Sequence, residues 1–200
     1  KGGSVALAPE GIATMYGESH PQIPGTGRLI KMFKHPVYFV ELRGQHLTTS
    51  WTSPAERIGK TFATTSLLLS KEQIEKMSAD EIDELINKVT YHDEYEWEKE
   101  NQVEYSNIET AYDRLEDFLY KCPKCGKEFK TIGKDGKFVC EECGSGFTFD
   151  NKYNMTPISE DSKIFDSPTK WVEWERKNII DEIRANPDYE VRFKAKLGKL

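Results

Sequence analysis

Cys122-Pro-Lys-Cys125-Gly126 and Cys140-Glu-Glu-Cys143-Gly144 are the two motifs around which this sequence is organised. They contain all four cysteines of the chain. A Cys-x-x-Cys pair in a tight turn directs two thiolates at one point, and the glycine that follows accepts the positive φ that such a turn needs. Two pairs supply the four sulfur ligands of a tetrahedral Zn²⁺ site. The spacing therefore predicts a zinc ribbon in which all four cysteines bind one metal ion.

The residues between the two motifs predict a β-hairpin. Thr131–Val139 contains Asp135-Gly136, a dipeptide typical of a two-residue hairpin turn. Four thiolates leave no open coordination position, so we expect the Zn²⁺ to be structural. A module of this size buries little apolar area, and metal binding is expected to drive its folding. Two disulfides, a redox pair or a rubredoxin-like iron site are the alternatives for the same four cysteines.

Composition and charge exclude several classes of function. The net charge is −6 and the pI about 5.4, which argues against a nucleic-acid partner for the ribbon. No apolar run approaches the roughly 20 residues that cross a bilayer, and no signal peptide is visible. Clustered metal-type thiols suit a reducing compartment. We therefore expect a cytoplasmic protein, with peripheral contact at the inner face of the membrane as a further expectation.

The apolar pattern before the ribbon predicts an α/β fold. Val5–Ala8 and Val37–Leu42 are continuous apolar runs, typical of strands buried on both faces of a sheet, and Phe62–Leu69 is a third predicted strand. The segment 91–107 is acidic and aromatic and receives no assignment. Helices are predicted at Arg28–Lys34, from Ser70 with a capping box to Gln73, from Ser78 to Val89, at Ile108–Tyr120, and from Ser167 to a stop at Pro187.

An ordered set of blocks lies in the first part of the chain. Val5–Ala8 runs into Pro9-Glu10-Gly11, Gly27 precedes a helix, and His35-Pro36-Val37 opens a strand that ends near Gly44. This order resembles the glycerolipid (lysophosphatidic acid) acyltransferase family, in which a strand runs into a Pro-Glu-Gly-Thr-Arg block. The resemblance covers residues 1–90 and leaves out the ribbon and the tail.

The resemblance implies transfer of an acyl group from acyl-CoA or acyl-carrier protein to the hydroxyl of a lysophospholipid. It implies that Pro9, Glu10, Gly11 and Arg28 contribute to the substrate site. The Thr-Arg of the family is Ile12-Ala13 here, which removes the arginine taken to meet the acceptor phosphate. Other cations that could replace it are Lys31, Lys34 and His35.

The family's catalytic His-x-x-x-x-Asp block is missing. None of the four histidines, His20, His35, His46 and His92, has Asp five positions later. In the family that block lies upstream of Pro-Glu-Gly and supplies the general base. Because the sequence begins with Lys1 and not Met, we expect that block outside these 200 residues and assign no catalytic base within them. His20 is the one substitute to consider, although a single loop histidine is usually exposed to solvent.

The predicted organisation has four parts. These are an acyltransferase-like α/β part (1–90), an acidic linker and helix (91–120), the zinc ribbon (121–150), and a linker, amphipathic helix and basic tail (151–200). The Trp171–Ile183 stripe either packs on the protein or lies on a membrane surface, and its acidic polar face favours packing. The alternative function is a non-catalytic zinc-ribbon module that docks to another protein.

Overall fold

A two-stranded antiparallel hairpin forms the first sheet of the computed structural model, which describes residues 3–186 and 188–192. Its strands are β1 (Val37–Arg43) and β2 (Phe62–Leu69), and they pair from Val37 opposite Leu69 to Arg43 opposite Phe62. β-Branched and aromatic residues favour both strands. Two of the three predicted strands are therefore confirmed.

The predicted strand Val5–Ala8 is wrong. These residues form an irregular, exposed segment that joins neither sheet, and Ala8 is not paired with Val37. The expectation that β1 is buried on both faces is also wrong, because its residues alternate between half-buried and exposed. Among the described residues, Val5–Ala8 has no neighbouring strand, and no helix covers the exposed face of β1. An apolar run is buried only where another element packs on it.

Three helices pack beside this hairpin. They are α1 (Thr26–Phe33), α3 (Lys71–Lys76) and α4 (Ala79–Thr90), and a four-residue helix α2 (Gln45–Thr48) follows β1. The predicted helix starts at Ser70 and Ser78 are confirmed, Ser70 with its predicted capping box, and the structure adds a second complete capping box at Ser78. The buried members of this cluster, the second core, are Ile30, Leu69, Ile74, Ile82 and Ile86.

Close contact between α1 and α4 depends on Gly27. A Cβ at this position would lie 2.0 Å from the carbonyl oxygen of Ala79, so no other residue fits without a shift of backbone. Asp83 of α4 completes the contact, because its carboxylate accepts hydrogen bonds from the N–H groups of Gly27 (2.6 Å) and Gly25 (3.2 Å). The glycine at the predicted helix start therefore has a packing role.

The segment between α4 and the ribbon contains one helix that the sequence left unassigned, α5 (Glu94–Asn101). The prediction of one continuous helix over Ile108–Tyr120 is wrong. The segment consists of two short 3-10 helices, Ile108–Tyr112 and Leu115–Asp117, separated by Arg114 with a φ of 54°. This left-handed residue prevents a continuous α-helix while still allowing Tyr112 and Leu115 to be buried.

The second sheet has four antiparallel strands in chain order. They are β3 (Thr131–Lys134), β4 (Lys137–Cys140), β5 (Gly146–Phe149) and β6 (Met155–Pro157). The predicted hairpin is confirmed, with Asp135 (φ 52°) and Gly136 (φ 69°) as its turn and Lys134 opposite Lys137. The mixture of helices with two small antiparallel sheets confirms the predicted α/β class.

The C-terminal helix α6 (Pro168–Ala185) is confirmed, with Ser167 as its N-cap and Pro168 in its first turn. It covers the ribbon and joins the main core. Its predicted stop, Pro187, and residues 193–200 of the basic tail lie outside the described residues. The buried members of the main core are Tyr16, Leu47, Tyr95, Tyr105, Tyr112, Leu115, Leu119, Phe138, Phe147, Phe149, Tyr153, Trp171 and Val172.

Candidate functional site

The four cysteines predicted from the sequence meet at one point. Their Sγ atoms all lie within 4.8 Å of one another, and none forms a disulfide. The Sγ–Sγ distances are 3.6 Å for Cys122 and Cys143 and 3.8 Å for Cys125 and Cys140. A tetrahedron with metal–sulfur bonds of about 2.3 Å has edges of about 3.8 Å. The cluster therefore has the size of a tetrahedral thiolate site and could hold one metal ion.

Two equivalent turns build the cluster. The N–H of Gly126 donates to the carbonyl of Cys122 (2.8 Å), and the N–H of Gly144 donates to the carbonyl of Cys140 (2.9 Å). Both glycines have a φ of 70°, in the left-handed region that a Cβ disfavours. The matching geometry explains why each Cys-x-x-Cys pair ends in glycine and presents both of its sulfurs on the same side.

Burial and backbone dipoles influence the sulfurs in opposite directions. Burial raises the pKa of Cys122, and the backbone N–H groups of Lys124 and Cys125 that point at its sulfur lower the pKa. Cys140 has the same arrangement, with raised pKa from burial opposed by the N–H groups of Glu142 and Cys143. Buried thiols with several N–H donors are suited to a bound cation, which makes the thiolate form stable.

Helix α6 fixes the first turn from behind. The indole N–H of Trp171 donates to the carbonyl of Lys121 (3.0 Å), and the N–H of Lys121 donates to the carboxylate of Glu175 (2.7 Å). Both peptide groups of the residue before Cys122 are therefore held by one helix. Sequence periodicity predicted that this helix is amphipathic, and the structure adds that its inner face positions the cysteine cluster.

The N-terminal part of the α6 stripe that offered a membrane alternative packs on the protein, whereas Ile180 and Ile183 at its C-terminal end are 46% and 48% exposed. Trp171 is 2% exposed and contacts Phe138 and Phe147 of the ribbon. Packing is therefore confirmed for this part of the helix. Among the residues that the structure describes, no helix combines the length and apolar character that crossing a bilayer requires.

The Pro9-Glu10-Gly11 corner forms a turn that holds the loop leading to α1. The Glu10 carboxylate Oε2 accepts a hydrogen bond from the N–H of His20 (3.1 Å), and the Pro9 carbonyl accepts one from Ile23 (3.0 Å). Gly11 has a φ of 74° and donates its N–H to Ala8 (3.1 Å). The loop is fixed by these bonds, so one oxygen of Glu10 holds the backbone of the loop.

Arg28 is exposed on α1 and lies apart from that corner in its contacts. No ion pair or side-chain hydrogen bond joins it to Glu10 in the described part of the chain. The structure therefore brings the four predicted metal ligands together at one site. Pro9, Glu10 and Gly11 lie together at a second site, and Arg28 does not bond to Glu10 there.

The histidines occupy different surroundings. His20 is half-buried and packs edge-on against Tyr16, and His92 Nε2 lies 3.7 Å from Glu94 Oε1. His46 is buried, and burial together with the nearby Arg57 lowers its pKa to about 3. It lines an open cavity next to Trp51 that sequence reasoning missed, because 46–51 gave no clear pattern.

No family model, curated protein or solved structure matches the chain. The description of the fold and of the cysteine cluster therefore rests on the geometry of the chain itself.

Proposed function

We propose that the chain is part of an enzyme that transfers an acyl group from acyl-CoA or acyl-carrier protein to a lysophospholipid hydroxyl, and that its cysteine cluster holds a structural Zn²⁺. The metal and the acyl-transfer parts of this proposal rest on different residues.

Zinc is supported by the donor set. Four cysteine sulfurs at tetrahedral spacing, each turn closed by a glycine, form a site typical of structural zinc. All four positions are filled by protein sulfur, so the ion would have no place for substrate or water. Its role would be to hold β3–β6 and the first turn against α6.

Metal analysis of freshly purified, reduced protein tests this assignment. We expect one zinc per chain and loss of zinc in Cys125→Ser, with Lys124→Ala, between two ligands, as the matched control that keeps it. One iron per chain would replace zinc in the proposal by a rubredoxin-like site. Absence of both metals would contradict it.

The acyl-transfer proposal is carried by the Pro9-Glu10-Gly11 corner and the blocks that follow it in order. Oε2 of Glu10 holds the His20 N–H, and Oε1 makes no hydrogen bond within the described residues. A half-buried carboxylate with one oxygen fixed and one free is suited to accept a hydrogen bond from an acceptor hydroxyl. The missing pairing of Val5–Ala8 with β1 counts against the resemblance, so the corner carries more of the proposal than the sheet.

In this proposal the residues of the chain orient the acceptor and hold the loop around it. Glu10 binds and orients the hydroxyl, and Gly11 together with Pro9 fixes the position of Glu10. Arg28 meets the polar headgroup from α1. The proton of the hydroxyl is removed by the His-x-x-x-x-Asp base of the family, which these 200 residues do not contain.

An acyl-transfer assay on the natural full-length protein tests this function. We expect acyl transfer to a lysophospholipid, and Glu10→Gln to lower kcat/KM by about 100-fold because the acceptor is misplaced. Glu75→Gln, an exposed carboxylate on α3, is the control and should retain the activity. A full-length protein that lacks the His-x-x-x-x-Asp block, or that has the block and transfers no acyl group, would contradict the proposal.

A non-catalytic interaction protein is the second candidate, and one observation favours it. Tyr38, Val40, Leu42 and Leu67 are all more than half exposed on one face of the β1–β2 hairpin. Contiguous apolar surface of this kind often marks a contact with another molecule. Loss of a co-purifying partner in Val40→Glu, in a protein without acyl-transfer activity, would select this candidate.

A further inference from the structure

An open cavity of about 460 Å³ lies outside the cysteine cluster and beyond the Pro9–Gly11 corner. Its volume is within the range of roughly 300–1,000 Å³ that small-molecule sites occupy. Two parts of the chain form it, the loop after the corner and the α2 region. The lining residues are Ala13, Thr14, Gln45, His46, Thr49, Ser50 and Trp51.

The polar groups of this cavity are hydroxyls, an amide and the imidazole of His46. The side chains of Gln45 and Thr49 make no hydrogen bond within the described residues and are available to a ligand. The Thr14 hydroxyl accepts from the N–H of Gly17 (3.1 Å), and its own O–H remains a donor. Such groups recognise other hydroxyls, because each one both donates and accepts.

No Asp, Glu, Lys or Arg is among the described residues that line the cavity. His46 is only 9% exposed, and the low pKa that burial and Arg57 give it keeps the ring neutral at physiological pH. A phosphate or carboxylate ligand would lose its hydration here without gaining an opposite charge. The lining therefore favours an uncharged ligand.

Trp51 gives the cavity an apolar side. Its side chain is 70% exposed, which is unusual for a tryptophan because a large aromatic surface in water is unfavourable. A flat indole beside several hydroxyls matches a pyranose ring, which has an apolar C–H face and a rim of hydroxyls. Burial of the indole under such a ring would remove the unfavourable exposure.

We propose that this cavity is a binding site for a neutral, ring-shaped polyol such as a sugar, which stacks on Trp51 and hydrogen-bonds to Thr14, Gln45 and Thr49. The site does not depend on acyl transfer, so its failure and the failure of the proposed enzyme are separate results. If the protein has both the sugar site and the acyl-transfer activity, the uncharged lining of the cavity agrees with the absence of the family's arginine, whose place Ala13 takes.

A titration followed by two-dimensional NMR tests the site, with methyl β-D-glucopyranoside as the neutral probe and glucose 6-phosphate as its charged counterpart. We expect saturable shifts of the Trp51 indole N–H, assigned with Trp51→Phe, and of the Gln45–Ser50 amides. The phosphorylated probe should bind at least tenfold more weakly.

Two variants separate binding from folding. Trp51→Ala should weaken binding at least tenfold with an otherwise unchanged spectrum, because the side chain is exposed. Tyr38→Ala, an exposed aromatic that does not line the cavity, should bind as the unmodified protein does. Absence of saturable shifts, unchanged binding in Trp51→Ala, or equal binding of the phosphorylated probe would each overturn the proposal.

Discussion

The ribbon sheet and the β1–β2 hairpin are both antiparallel and both rich in aromatic and β-branched residues, yet they differ in burial. Phe138 and Phe147 in the ribbon are 0% exposed. Tyr38 and Val40 in β1 are 64% and 58% exposed. Residues that favour strands therefore form strands in both places. Other elements cover the apolar side chains Phe138 and Phe147 of the ribbon sheet, whereas Tyr38 and Val40 of the hairpin stay exposed.

The covering elements explain the difference. Trp171 of α6 packs edge-on against Phe138, and Tyr112 of the first 3-10 helix contacts Phe147 and Phe149. On the exposed face of the hairpin, Tyr38 lies opposite Leu67 of the paired strand, and both side chains are more than half exposed. A two-stranded hairpin gains little stability by itself. In this chain one end of the hairpin, at Val37, Leu68 and Leu69, packs against the second core, while Tyr38, Val40 and Leu42 meet solvent.

Metal removal should produce the largest effect and should affect one region only. Chelation, or Cys125→Ser, should remove protection from hydrogen exchange in β3–β6, because structural zinc contributes about 10–16 kcal/mol to the folding of such modules. The second core around Ile74 and Ile82 should keep its protection, since its members do not contact the ribbon core. Hydrogen exchange read by mass spectrometry measures both regions at once. Lys124→Ala is the matched control, and protected ribbon amides without metal would contradict the expectation.

Equivalent truncations of aromatic residues should separate the two sheets by stability. Phe138→Ala should lower the free energy of unfolding by about 3–5 kcal/mol, because it leaves a cavity in a packed core. Tyr38→Ala should change it by less than about 0.5 kcal/mol, as an exposed position does. Urea unfolding of the two variants is the measurement. A large loss in Tyr38→Ala would show that the exposed face is covered in solution.

The buried Glu98 should make the region of α5 sensitive to pH. Burial raises its pKa to about 7 from an ordinary 4.5, opposed by hydrogen bonds from Val103 and Tyr105, and its Oε1 has no hydrogen-bond partner among the residues that the structure describes. The folded state therefore binds more protons than the unfolded state between pH 4.5 and 7, so the free energy of unfolding should fall as pH rises through that window.

Glu98→Gln keeps the acceptor and cannot ionise, so it should be the more stable protein at pH 8, by on the order of 2 kcal/mol. The difference from the unmodified protein should disappear near pH 4. Denaturant unfolding at several pH values measures it, and Glu100→Gln, exposed on the same helix, is the control. A difference that does not change with pH would show that Glu98 is not protonated in the folded protein.

The smallest expected effect concerns the helix starts of the second core. Ser78→Ala removes the side-chain acceptor for the N–H of Glu81 and should lower the free energy of unfolding by about 1 kcal/mol. Ser66→Ala, an exposed serine of β2, should change it by less than half as much. Thermal unfolding followed by circular dichroism compares them, and equal values would mean that the capping bond adds nothing measurable.

Much of the fold could be predicted where the interactions that form an element join residues close together in the sequence. The capping box at Ser70, the helix start at Ser78 and the Asp135-Gly136 turn depend on residues within a few positions of each other, and all three are confirmed. The convergence of the four cysteines followed in the same way, because the spacing within each pair already directs two sulfurs together.

The sequence by itself determined the cysteine cluster, the hairpin turn and the capped helices, because neighbouring residues supply the forces that form them. Only the tertiary structure decided that Val5–Ala8 stays irregular, that one face of β1 is exposed, and that His46 and Trp51 line a cavity. Burial depends on which distant segment packs on a residue. The hydrophobic pattern of a sequence shows which residues favour burial, but it does not show which segment will cover them.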